Sequence, residues 1–199
     1  MQDQPGLGRA LALLVVGWIG MAAVASLSAV VPTRMLPGLS PGPDVVLLVV
    51  LHAGLSARGG SAGLSLLAFA LGYLADLSAG APKGLHMAAC VLLAQLSRAA
   101  SSRLMVRGAL LTGLVAAFFA GIYHLGLASA RVLLEVGPGP GLLRPGVWAP
   151  LRQVAPAVLA TALWGPVVFA VLRRLDRAFS RDPRTLGGGA IVVGPGPRP

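Results

Sequence analysis

Few residues in this sequence have chemistry to offer. An aspartate, Asp76, sits near the end of an apolar run, and three histidines, His52, His86 and His124, lie in or beside other runs. An acid and an imidazole within reach of each other make a proton relay. The plainer reading is that each histidine is neutral and hydrogen-bonded to a neighbouring helix or an interface. No two histidines have the i, i+4 spacing of a metal site on one helix, and Cys90 has no second cysteine, so neither a metal centre nor an internal disulfide is expected. There is no G-x-S-x-G, P-loop or H-E-x-x-H motif, and no helix with two intramembrane carboxylates. Six acids and three histidines in 199 residues leave little material for catalysis. The expectation is a protein that is not an enzyme and takes no cofactor.

The elements that must position these groups are membrane helices. The chain is 56% hydrophobic and 11% charged, with a mean hydropathy of +0.81. A soluble domain carries about 25% charged residues. A charge at the centre of a bilayer costs about 2.5–3.5 kcal/mol on insertion scales, so Asp76 needs a protein partner, a water-filled cavity or a task. The net charge of +10 comes from arginines between the apolar runs and in the tail. That placement points to topology control and contact with anionic lipid, and away from nucleic acid.

Along the chain, residues 1–9 read as a polar N-terminus, 10–178 as one transmembrane helical domain, and 179–199 as a basic, Pro/Gly-rich disordered tail. Ala10–Val31 is long enough to span. Ala23-Val24-Ala25 resembles a signal-peptide cleavage site, but the apolar run continues past it, which favours an uncleaved span. A loop rich in Pro and Gly fills 32–43, and Asp44 is placed to N-cap a second helix. Val45–Ala57 and Leu85–Ser97 are short for spans; Ser61–Ala79, Gly108–Leu134 and Val154–Leu172 are long enough, the last with Pro166 inside as a kink. Between the fifth and sixth runs lies the linker Gly137–Gly146, followed by Trp148 as an interfacial anchor.

Six spans put both termini on one side. With the termini inside, eleven basic residues fall on inner segments and five on outer ones, so N-in, C-in is expected. Five spans with a re-entrant hairpin is the alternative count. On the third helix Ala68, Gly72, Asp76 and Gly80 recur every four residues; on the fifth, Ala109, Gly113, Ala117 and Gly121 do the same. Small residues at this spacing let helices approach closely in lipid, and they turn Asp76 toward protein. In the N-in arrangement Asp76 lies in the outer half of its helix, near Lys83, His86 and Asp44. It is expected either to bond the turn amides or Lys83, holding the third and fourth helices together, or to shape a surface for a partner.

The stretch from Pro43 to His86 resembles the rod shape-determining protein family MreD. The matching features are Pro43-Asp44 opening an apolar run, the Arg58-Gly59-Gly60 turn, Gly72 and Asp76 as G-x-x-x-D, and the turn Gly80, Pro82, Gly84, Leu85, His86. A basic loop at Arg98–Arg107 and a last helix closing in Arg173-Arg174 fit the same layout. The resemblance implies a non-enzymatic, multi-pass subunit of the bacterial cell-elongation complex in the cytoplasmic (inner) membrane. It implies MreC as direct partner, with MreB, RodA and a class B penicillin-binding transpeptidase as indirect ones, all serving rod shape and lateral peptidoglycan synthesis. It also implies an all-α fold of about six helices like the substrate-binding S-components of energy-coupling-factor transporters. The rival class is a vitamin-type transporter subunit, whose pocket would have to be lined by His52, Asp76 and His124.

Overall fold

The structure, a computed structural model, describes residues 6–30, 43–56, 61–79, 83–101, 108–136 and 149–179. They form α1 (Gly6–Val30), α2 (Val45–Leu55), α3 (Ser61–Ala79), α4 (Leu85–Ser101), α5 (Ala109–Val136), the single turn α6 (Ala149–Arg152) and α7 (Val154–Phe179). There is no strand among the described residues. Several expected features lie outside them: the loop over 32–42, the Arg58-Gly59-Gly60 turn, Gly80 to Pro82, Arg103 and Arg107, the Gly137–Gly146 linker, Trp148 and the tail from 180.

Three stretches are long and apolar enough to cross a membrane: Gly8–Ser26, Ala109–Leu134 and Ala149–Ala178. Val45–Leu55 and Ala62–Ser78 are apolar but shorter. α1 is continuous through Ala23-Val24-Ala25. α6 adds a turn ahead of α7, and α7 continues through Pro166 and the arginines to Phe179.

The molecule is built around α2. Its sequence, VVLLVVLHAGL, is apolar on every side, the pattern of a helix with no solvent-facing stripe. The fold buries it accordingly: Leu47 through Leu51 have no exposed surface, and α2 touches each of the other five long helices. At 11 residues it is about 16 Å long, half the thickness of a bilayer core. Enclosed by longer helices, it has no lipid contact to match. The valines lower helix propensity slightly, and burial against five neighbours outweighs that cost. Leu71 from α3, Phe119 from α5 and Leu172 from α7 complete the core around it.

Close approach between helices follows from small residues. A Cβ on Gly72 of α3 would lie 2.5 Å from Met87 Cα and 2.9 Å from the His86 carbonyl oxygen, so α3 rests directly on the backbone of the first turn of α4. A Cβ on Gly54 would collide with Ser97, which brings the end of α2 against α4. α5 packs along α7, where Gly165 abuts Ala116 at 2.9 Å for an added Cβ. Gly113 faces the Ala162 carbonyl oxygen, 3.3 Å from an added Cβ. That carbonyl has lost its helical donor because Pro166, four residues on, has no N–H.

The small-residue faces differ in part from the sequence expectation. Ala68 and Gly72 are buried, and Gly72 faces α4. On α5, Ala109 is exposed, Ala117 is half-buried, and Gly121 has open space where a Cβ would stand. The buried small residues there are Ala116 and Ala120. The cause is helical period: a strict four-residue repeat drifts by about 40° per step, so Ala109 and Gly121 point about 120° apart. The outside of the bundle is apolar, with Trp18, Leu66, Leu92, Leu110, Leu133 and Leu163 all more than half exposed. Such a surface is matched to hydrocarbon and would be an association surface in water.

Candidate functional site

Polar groups gather at the two ends of α2. The first cluster is built from the turn between α3 and α4. Helix α4 needs partners for its first N–H groups, and its own cap position is Gly84, which has no side chain to supply one. Gly84 has φ +96°, a left-handed conformation that favours glycine. Asp76, eight residues earlier on α3, caps the helix in its place. Its Oδ2 accepts from Gly84 N at 2.9 Å and Met87 N at 3.2 Å. Its Oδ1 accepts from His86 N at 2.9 Å and from His86 Nδ1 at 2.9 Å. As a carboxylate Asp76 accepts on both oxygens, and the contact with His86 then puts a hydrogen on Nδ1. Asp76 is 5% exposed, and four donors replace the water it gives up. Lys83 is exposed at the same turn. Gly72 lets this happen, because only a residue without a Cβ allows α3 to lie against the backbone that Asp76 caps.

Asp44 does the corresponding work for α2. Its Oδ1 accepts from Leu47 N at 3.0 Å, the expected N-cap, and its own N–H reaches Thr161 Oγ1 of α7 at 3.3 Å. Its second oxygen lies 3.8 Å from His124 Nε2 of α5, beyond hydrogen-bonding distance. His124 Nε2 is buried and has no hydrogen-bond partner. Beside it, Tyr123 is buried with its hydroxyl 3.8 Å from Cys90 Sγ. Pro43, Asp44, Ser78, His86, Tyr123 and His124 contribute to the lining of one cavity of about 250 Å³, whose remaining walls are mainly apolar.

The second cluster is at the other end of α2. His52 Nε2 donates to Asp176 Oδ2 at 2.9 Å, and Arg9 holds the same carboxylate through Nε at 2.7 Å and one terminal nitrogen at 3.1 Å. The His52 ring packs edge-on against Phe169 at 5.2 Å. The start of α1, the end of α2 and the end of α7 therefore meet at one point. Nothing in the motif pattern singles out Asp176. A signal for it exists all the same: Phe169, Leu172 and Asp176 follow the i, i+3, i+7 spacing of one helical face, and the first two are core residues.

Of the sequence-derived site residues, the fold brings Pro43, Asp44, Gly72, Asp76, Gly84 and His86 together around the α2 and α4 N-termini. Gly80 is outside the described residues. The three groups needed to line a transporter pocket are separated: His52 belongs to the second cluster, Asp76 is committed to the α4 cap, and His124 alone lines the cavity. Among the described residues no group of three His, Cys, Asp or Glu side chains is arranged to hold a metal ion. The chain was compared with protein-family models, with curated proteins and with solved structures, and none matched.

Proposed function

We propose that this chain is an MreD-like scaffold subunit of a bacterial cell-elongation complex. The observation that carries the reading is the convergence at the α3–α4 turn. Of the residues on which the resemblance rests, Gly72, Asp76, Gly84 and His86 form one interlocked unit, and Pro43 and Asp44 line the same cavity as His86. Asp76 and Gly72 there have structural work: they fix how α3 and α4 sit around the buried α2. A rigid bundle with an apolar exterior suits a protein that presents helices to other membrane helices. In this reading the chain crosses six times with both termini in the cytoplasm, α2 making a short crossing enclosed by the longer helices, in an arrangement like that of the energy-coupling-factor S-components. The meeting of Arg9 and Asp176 supports an even number of crossings, since it joins the start of the first span to the end of the last.

The subunit has no catalytic task of its own. It binds MreC in the inner membrane and through it serves MreB, RodA and the class B transpeptidase. Purification of the tagged chain in a mild detergent, followed by mass spectrometry, tests this. MreC is the expected companion. Recovery of an ATPase module or a retained vitamin would favour the transporter class.

A further inference from the structure

The cavity beside Asp44 has a chemistry that the scaffold role does not use. We propose that it binds a protonated primary amine carried on a short apolar body. The proposal does not depend on the identity of the protein partner.

The Ser78 and Tyr123 hydroxyls are engaged, with the Leu74 and Ala75 carbonyls and with Cys90, which leaves three side-chain polar atoms to an occupant. Asp44 gives one oxygen to the α2 cap and keeps Oδ2. His124 Nε2 is buried without a partner, 3.8 Å from that oxygen. His86 is fixed with Nδ1 toward Asp76, so its Nε2 points away from Asp76, and in the neutral ring with its hydrogen on Nδ1 that atom is an acceptor. Two atoms 3.8 Å apart cannot bond each other, yet one nitrogen can sit about 2.9 Å from both. An ammonium group brings three donors and no acceptor, which matches a set of acceptors. His124 joins that set when its hydrogen is on Nδ1.

Electrostatics favour the same sign. Two helix N-termini point into this region, each worth roughly half a positive charge. Each is already covered by a carboxylate, Asp44 on α2 and Asp76 on α4. The balance at the cavity wall is about one negative charge, because Lys83 at the α3–α4 turn is exposed and does not line it, so an anion is disfavoured. Arg131, the next cation along α5, is about 10 Å further on by helical rise and does not line the cavity. Apolar walls from Met21, Val24, Val45 and Val46 suit carbon attached to the nitrogen. A space of about 250 Å³ holds roughly eight waters, enough for an aminoalkyl group.

A primary ammonium reaches a membrane protein from two sources, an ethanolamine lipid headgroup or a free amine. Thermal unfolding of the purified full-length chain distinguishes them. One arm adds hexylamine or choline in detergent; the other compares nanodiscs of phosphatidylethanolamine with nanodiscs of phosphatidylcholine. Stabilisation by hexylamine and not by choline supports the site, because a quaternary nitrogen has no N–H. Stabilisation confined to the phosphatidylethanolamine discs supports it and assigns the source to lipid. Asp44→Asn keeps a good N-cap and removes the charge, and should weaken the response at least tenfold. If that variant does not fold, His124→Phe carries the test with an expected loss of at least fivefold. Equal responses to amine and quaternary probes, no response to either amine source, or unchanged binding in the folded variants would overturn the proposal.

Discussion

Asp76 is the residue whose replacement says most. It supplies the acceptors for three backbone N–H groups and one imidazole. Asp76→Leu orphans all of them, at about 1–3 kcal/mol for each buried donor. The sum rivals the whole stability of a small protein, about 5–15 kcal/mol, so the leucine variant should fail to accumulate in the membrane. Asp76→Asn keeps one oxygen and turns an NH2 toward the remaining donors. It should fold with a clearly lowered melting temperature, measured in detergent, and a melting curve equal to wild type would refute the capping role. The sequence makes Asp76 conspicuous, because a lone acid in an apolar helix is expensive. It does not reveal which of two partners Asp76 takes, since the amides lie 8–11 residues away across a turn. The missing cap at Gly84 is the clue: a helix starting after glycine needs an acceptor from elsewhere. Asp176 makes a parallel case. Asp176→Ala leaves the buried His52 nitrogen without its acceptor and should destabilise by about 1–3 kcal/mol. Arg9→Ala removes only a part-exposed pair and should cost about 1 kcal/mol or less. Chemical denaturation of both variants checks the order; a larger loss for Arg9→Ala would show that the pair, not the histidine bond, ties these ends together.

At the scale of elements, α2 is legible in the sequence as short and apolar throughout, which already implies burial. Its central place is not, because an all-apolar pattern does not name the neighbours that enclose it. The small-residue faces are legible to within a third of a turn. Gly72 and Gly113 do meet backbone of other helices, while Gly121 does not, because four-residue spacing outruns the helical period. Three glycine substitutions separate these cases. Gly72→Leu forces α3 off the α4 backbone and should prevent assembly of the hairpin. Gly113→Leu meets a carbonyl and a proline ring and should cost about 1–3 kcal/mol, as overpacking usually does. Gly121→Leu enters open space and should be tolerated. Thermal stability of the three variants in one detergent ranks them, and equal stability would show that these faces are not packing surfaces.

For the whole molecule, composition and hydropathy alone imply an all-helical membrane protein. The pairing of α3 with α4 is a local hairpin that Asp76 already suggests, whereas that of α5 with α7 depends on contacts between distant residues that no local pattern encodes. The distribution of basic residues leads to the expectation of both termini inside, through the positive-inside rule. In a Cys90→Ala background, single cysteines at Gly38 and Gly141 should label with an impermeant reagent in outer-membrane-permeabilised cells, and one at Thr185 should stay protected. Labelling at Thr185 with protection at Gly38 would invert the topology.

The proposed scaffold role is tested most directly by its proposed partner. The tagged chain, solubilised in mild detergent beside untagged MreC, is expected to retain MreC through gel filtration, and Gly72→Leu to lose it while Gly121→Leu keeps it. A folded wild-type chain that elutes without MreC would contradict the MreD-like reading.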